Sequence, residues 1–177
     1  MQVTTHMKAD AAADFTALIG QHHRLIYKVA NSYARGSDDV DDLAQEIATQ
    51  AWRGFRSFDA ARSFSTWLYR VALNVAISWV RTEGPRRNRT VPYDPDLHEP
   101  STRDEVADDD GLRLLRSFLE AQAPLDRAVL LLYLDERPMA DIADILGLTA
   151  THVTTKINRL KERLRAFAAQ EETHGTR

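Results

Sequence analysis

The sequence predicts an all-α protein of two small helical domains joined by a flexible linker. Three observations lead there. Apolar residues recur at three- and four-residue spacing in long blocks on both sides of the middle of the chain. Nowhere do they alternate with polar ones as in a half-buried strand, and no internal repeat is visible. Between the blocks lie Pro85, Pro92, Pro95 and Pro100, many charges, few apolar side chains and a final Asp108-Asp109-Asp110. Such a stretch buries too little apolar surface to offset its ordering entropy. The domains are therefore expected over residues 12–84 and 111–168, with 85–110 as the linker.

The elements follow in order. From Ala12 to about Tyr33, Phe15, Leu18, Ile19, Leu25, Ile26, Val29 and Ala30 form a helical stripe that ends near Gly36. Ser37 reads as the N-cap of a second helix, with Asp38 and Asp39 in its dipole-favoured first turn. Leu43, Ile47, Ala51 and Trp52 are its apolar face. After the aromatic stretch GFRSFDAARSF, a third helix spans about Ser65 to Arg81, through Trp67, Leu68, Val71, Ala72, Val75, Ala76 and Trp79. Glu83-Gly84-Pro85 stops it, because proline disfavours helix at itself and at the residue before. Beyond the linker, Leu112, Leu115, Phe118 and Leu119 mark one helix, and Pro124 opens another, PLDRAVLLLYLDE. A short helix from Met139 to Leu146 stops at Gly147, and the last begins at Thr149 and runs to about Ala168.

Composition narrows the function. With 177 residues, 44% of them hydrophobic and 28% charged, the chain is long enough for two small cores and reads as globular. It lacks a run of about 18 apolar residues, and MQVTTHMKAD lacks the apolar centre of a secretory signal, so no membrane insertion is expected. The absence of cysteine excludes disulfides and thiolate metal sites, and makes a cytoplasmic location the simplest expectation. Either Met1 or Met7 could open the chain, and the short polar tail after Ala168 is expected to carry no further domain. The six histidines are scattered, and His22-His23 has no carboxylates at metal spacing, which favours a structural or surface role. With no catalytic constellation in view, a non-enzyme without metal or cofactor is expected. The net charge of −3 argues mildly against nucleic acid, but its distribution matters more than the sum.

That distribution is sharpest in MADIADILGLTATHVTTKINRLKERLR. Ala143, Gly147 and Val153 have helix-turn-helix spacing: a small residue for close approach, a glycine for the left-handed turn, an aliphatic lock. Ile142, Leu146, Leu148, Ile157 and Leu160 supply the buried face. The second helix then presents Thr151, His152, Thr154, Thr155, Asn158 and Arg159, groups able to reach base edges and phosphates in a major groove. Lys156, Arg159, Lys161, Arg163 and Arg165 crowd this helix, opposed by Glu162 alone. An ordinary helical hairpin with a solvated basic face would explain less of this combination than DNA binding does.

In the N-terminal half, Asp38, Asp39, Asp41, Asp42 and Glu46 crowd a few turns. Asp42 and Glu46 are a like-charge pair at i,i+4, which the helix dipole does not reward, so a docking face for a basic partner is the sharper reading. Downstream, Phe55, Phe58, Phe64, Trp67, Tyr69 and Trp79 are interleaved with Arg53, Arg56, Arg62, Arg70 and Arg81, a mixture that suits single-stranded nucleic acid. Trp67, Leu68 and Val71 read as core, whereas composition leaves open whether Phe58, Phe64 and Tyr69 are buried or meet bases.

In order and content these segments resemble the extracytoplasmic-function sigma factors of the sigma-70 family along nearly the whole chain. DDLAQEI is similar to the family's acidic segment that docks on the β′ clamp helices of RNA polymerase, and FSTWLYRVALN to the segment that recognises and opens the −10 element. ADIADILGLTATHVTTKINRLKERLR is similar to its −35-reading helix-turn-helix. The resemblance implies a sigma-2-like bundle and a sigma-4-like helix-turn-helix domain. Its implied partners are core RNA polymerase (β′ clamp helices and β flap), promoter DNA as duplex −35 and melted −10, and an anti-sigma factor as a candidate regulator. Asp39, Asp42, Gln45 and Glu46 would bind core polymerase. Phe58, Arg62, Ser63, Phe64, Trp67, Tyr69, Arg70, Asn74 and Ser78 would serve the −10 element, the loop from Phe58 to Ser63 holding a flipped base. Thr151, His152, Thr154, Thr155, Lys156, Asn158 and Arg159 would line the −35 contact. The chain departs from the family pattern at Leu73, at Ser78 and over His152-Val153-Thr154-Thr155-Lys156, which bears on promoter sequence rather than on class. A stand-alone dimeric helix-turn-helix regulator would leave the acidic helix unused, and a non-DNA clamp would leave the polar reading helix unexplained.

Overall fold

Seven α-helices and a 3-10 turn, with no strand, account for the described residues, 3–82 and 110–174, of a computed structural model; side chains are described over 13–82 and 110–171. Two compact units divide the chain, Met1–Arg86 and Arg87–Arg177. The division falls within the expected linker, whose residues 85–109 lie outside those described, as does the expected stop at Glu83-Gly84-Pro85.

The first unit is a three-helix bundle of α1 (Val3–Tyr33), α2 (Ser37–Gly54) and α3 (Phe64–Thr82), with the turn Phe55–Ser57 between the last two. Its core joins Val29 and Ala30 of α1 to Leu43, Ile47 and Ala51 of α2 and Leu68, Ala72, Leu73 and Ala76 of α3. Fully buried alanines on each helix let the backbones approach closely. Helix α1 begins well before Ala12. Val3, Met7 and Ala11 carry the four-residue spacing back from Phe15, and intrinsic propensity around Ala9, Ala11 and Ala12 favours helix there, but with few large apolar side chains the signal is thin. The cap of α2 is Gly36, not Ser37. Gly36 sits at φ +80°, a conformation that favours glycine, and its carbonyl accepts from Val40 N–H at 3.2 Å. The Ser37 hydroxyl turns instead to Asp38 Oδ1 at 3.3 Å.

The second unit comprises α4 (Asp110–Glu120), α5 (Pro124–Leu134), α6 (Met139–Leu146) and α7 (Ala150–His174). Val129 and Leu132 of α5, Ile142 and Ile145 of α6, and Val153, Ile157 and Leu160 of α7 are buried together with Phe118 of α4, whose ring lies 5.6 Å from that of Phe167. Leu112, expected on the apolar face of α4, is 53% exposed. Arg127 closes the end of α4, donating to the carbonyls of Leu119 (3.0 Å) and Glu120 (2.6 Å), while Gln122 donates to that of Phe118 at 2.8 Å. These bonds satisfy carbonyls that the helix end would otherwise leave unpaired. Helix α7 runs past Ala168 to His174.

The connection between α6 and α7 is built as the sequence spacing requires. Gly147 stands at φ +66°, and Leu148 N–H reaches back to the Ala143 carbonyl at 2.9 Å, closing a Schellman-type end. Thr149 caps α7: its carbonyl accepts from Val153 N–H at 3.0 Å and its hydroxyl from His152 N–H at 3.2 Å. Thr149→Ala is expected to destabilise this unit by about 1 kcal/mol, read as an earlier denaturant midpoint in far-UV circular dichroism.

Candidate nucleic-acid interface

On α7, burial of Val153, Ile157 and Leu160 turns the opposite side of the helix outward. Thr151, His152, Thr154, Thr155, Asn158 and Arg159 are all exposed there. Thr154 and Thr155 donate their hydroxyl protons to the carbonyls of Ala150 and Thr151, both at 2.9 Å, which leaves their oxygens facing outward as acceptors.

Lys156 departs from the expected set. Its Nζ lies 2.6 Å from Asp126 Oδ1 in the first turn of α5, and Arg163 Nη2 lies 2.8 Å from Asp126 Oδ2. The pairing is partly sheltered, with the Lys156 side chain 23% and that of Asp126 15% exposed. Lys156 is therefore held against α5 rather than standing open with the outward row. Burial pushes the Asp126 carboxyl up, but hydrogen bonds from Lys156 and Arg163 and their charges outweigh it and hold it below the ordinary carboxylate value. A depressed carboxylate stabilises the fold at and above the ordinary value, and that contribution fades as pH falls through the lowered one. Asp126 and Arg163 were not among the expected site residues. The contact spans 30 and 37 positions, so no local spacing signals it.

In the first unit, burial of Leu43, Ala44 and Ile47 leaves Asp38, Asp41, Asp42 and Gln45 exposed, with Asp39 and Glu46 half-buried. Glu46 is oriented by Gln50, whose Nε2 donates to Oε1 at 2.7 Å. On α3, Asn74 and Ser78 are exposed one turn apart, with half-buried Arg70 on the same side.

The aromatics sort less simply. Tyr69 is 2% exposed and Phe64 7%, so both belong to the core, a correction to their reading as base contacts. They share the inward side of α3 with Leu68, Ala72, Leu73 and Ala76. Phe58 and Trp67 are half-buried at the rim of a ring cluster. Phe58 lies parallel to Phe55 at 6.0 Å and edge-on to Phe64 at 5.3 Å, and Trp67 lies 5.3 Å from Phe64. Trp52, expected to be apolar core, is 46% exposed and leans on Phe15 at 5.1 Å. Beyond Phe58 the chain forms a small turn. Asp59 accepts from Ala61 N–H at 3.0 Å and, through its carbonyl, from Arg62 N–H at 2.9 Å. This leaves Ala60 to Ser63 exposed at the tip.

The family described as "Sigma-70 region 2" matches residues 18–86, the span of most of α1 with α2 and α3. The ECF RNA polymerase sigma factor SigW of Bacillus subtilis is 28% identical over 170 residues, covering 88% of each chain. SigM of Mycobacterium tuberculosis, with the same description, is 26% identical over 162 residues, 92% of this chain and 80% of that one. Residues 18–86 thus carry a sigma-70 region 2, and along most of its length the chain is similar to extracytoplasmic-function (ECF) sigma factors. Its function is that of an RNA polymerase sigma factor. The fold of this sigma factor matches that of RpoE from Bartonella quintana, solved with the anti-sigma factor NepR, at TM-score 0.70 and 20% identity over 88% of this chain and 97% of that one. CnrH, solved with the cytosolic domain of CnrY, matches at TM-score 0.65 and 24% identity over 92% and 94%. Among the described residues of the sigma factor, no helix is long and apolar enough to cross a membrane.

Proposed function

We propose that this sigma factor binds core RNA polymerase through α2, recognises and melts the −10 element with α3 and the loop before it, and reads the −35 element with α7. On this reading Asp39, Asp42, Gln45 and Glu46 meet the β′ clamp helices. Phe58, Arg62, Ser63, Trp67, Arg70, Asn74 and Ser78 serve the −10 strand. Thr151, His152, Thr154, Thr155, Asn158 and Arg159 face the −35 duplex, with the second unit against the β flap. The observation that carries it is the side chain sorting on α2 and α3: apolar residues seal the bundle, while an acidic side of α2 and the Asn74–Ser78 row remain outside.

The mechanism follows from the division of labour. Residues 12–84 act as the docking and melting domain, 85–110 as a flexible linker and 111–168 as the −35 domain. Neither DNA contact has to be strong alone, because docking of one domain raises the effective concentration of the other. Unstacking a base costs a few kcal/mol, and a ring braced as Phe58 is loses little entropy when a base stacks on it. RNA synthesis belongs to the polymerase, so the factor is not an enzyme, and it acts in the cytoplasm. RpoE, which shares this fold and was solved with the anti-sigma factor NepR, supports an anti-sigma partner here too.

Run-off transcription with purified core polymerase and a genomic promoter library, with and without this protein, tests the reading. Factor-dependent transcripts sharing two upstream elements are expected. No transcripts together with no binding to core would overturn it in favour of a stand-alone regulator.

A further inference from the structure

Asp126 lies outside the helix-turn-helix, yet its two oxygens hold Lys156 at 2.6 Å and Arg163 at 2.8 Å, cations two turns apart on α7. These three side chains line one groove with His152, Thr155 and Arg159 of the outward row. Resting on the reading of α7 as the −35 helix, we infer that Asp126 is a specificity-setting positioning residue that withholds two cations from the DNA backbone.

The argument is electrostatic. Cation–phosphate contacts add affinity for any sequence, whereas base-edge contacts add it for one. Helix α7 carries five cations between Lys156 and Arg165. Two are committed to Asp126, and Lys161 sits over the Tyr133 ring at 4.6 Å. Arg159, within the outward row, is left to DNA. A lone surface ion pair would be screened and exchange readily with phosphate, but the Asp126 side chain is only 15% exposed and grips with both oxygens, holding Lys156 (23% exposed) more firmly than Arg163 (51%). Its position in the first turn of α5 favours the negative charge further. The carboxylate also repels nearby phosphates. The base-reading row thus works above a lowered sequence-independent background.

The test uses holoenzymes reconstituted from core polymerase and the full chain, as wild type, Asp126→Asn and Asp126→Glu. Fluorescence anisotropy over a salt series measures binding to a promoter duplex selected by the wild type and to the same duplex with its upstream element scrambled. Asp126→Asn is expected to bind the scrambled duplex more tightly, with a log–log salt slope steeper by about 0.9 for each cation released. Its preference for the selected duplex falls, and Asp126→Glu restores the wild-type slope and preference. An Asp126→Asn slope equal to or shallower than wild type overturns the inference; a merely structural role predicts the shallower one, because a disrupted second unit would weaken both complexes. Wild-type indifference to scrambling would overturn the −35 reading itself. Wild-type discrimination with an unchanged Asp126→Asn slope would remove this inference alone.

Discussion

Replacing Asp42 and Glu46 together with lysine is expected to abolish association with core RNA polymerase while leaving the helices intact. Asp42 is exposed and Glu46 half-buried on the side of α2 away from Leu43, Ile47 and Ala51, so neither substitution enters the core. Lysine is as good a helix former as glutamate and better than aspartate. The reversal replaces two negative charges by two positive ones, a change of four units, against a basic partner. Like charges across an interface cost several kcal/mol, equivalent to a loss of affinity of about 100-fold or more. Co-purification with tagged core polymerase measures the loss, and circular dichroism checks the fold. Normal binding by the folded double variant would remove α2 as the docking surface.

The second large effect is expected at Arg159. The side chain is exposed on α7 and, among the described residues, has no ion-pair partner, so it reaches DNA without first breaking a contact. Arg159→Ala should cost about 1–3 kcal/mol in use of promoters through the −35 element. Selection from a promoter library reads this as a weakened or relaxed upstream element with the −10 preference retained. An unchanged −35 preference would show that the arginine carries no base or phosphate contact there.

The sequence disclosed helices wherever burial imposes a period. The stripe from Phe15 to Ala30, the Leu43–Ile47–Ala51 face, and the Ala143–Gly147–Val153 corner all reappear at the expected positions. Ends were harder to place. Only the sparse pair Val3 and Met7 marks the start of α1, nothing apolar marks the end of α7 at His174, and whether Gly36 or Ser37 caps α2 turns on a backbone angle. Single residues escaped for a different reason. Phe64 and Tyr69 are equally plausible inward or outward by composition, and a shift of one position around the helix decides between them. Ile145 sits beside the expected Leu146 and is the more deeply buried of the two. Lys156 looked like one more cation in a basic run because its acidic partner lies in another helix.

The braced rings near the loop have a spectroscopic corollary. All three indoles, Trp52, Trp67 and Trp79, belong to the first unit, and the second holds none. Light absorbed at the red edge of the aromatic band therefore excites only the bundle. Because Trp52 stands partly in water, Trp67 is walled by phenylalanines and Trp79 is half-buried, the emission is a composite of wetter and drier chromophores. The factor carries an intrinsic probe whose colour reports on the first unit and is silent about α7.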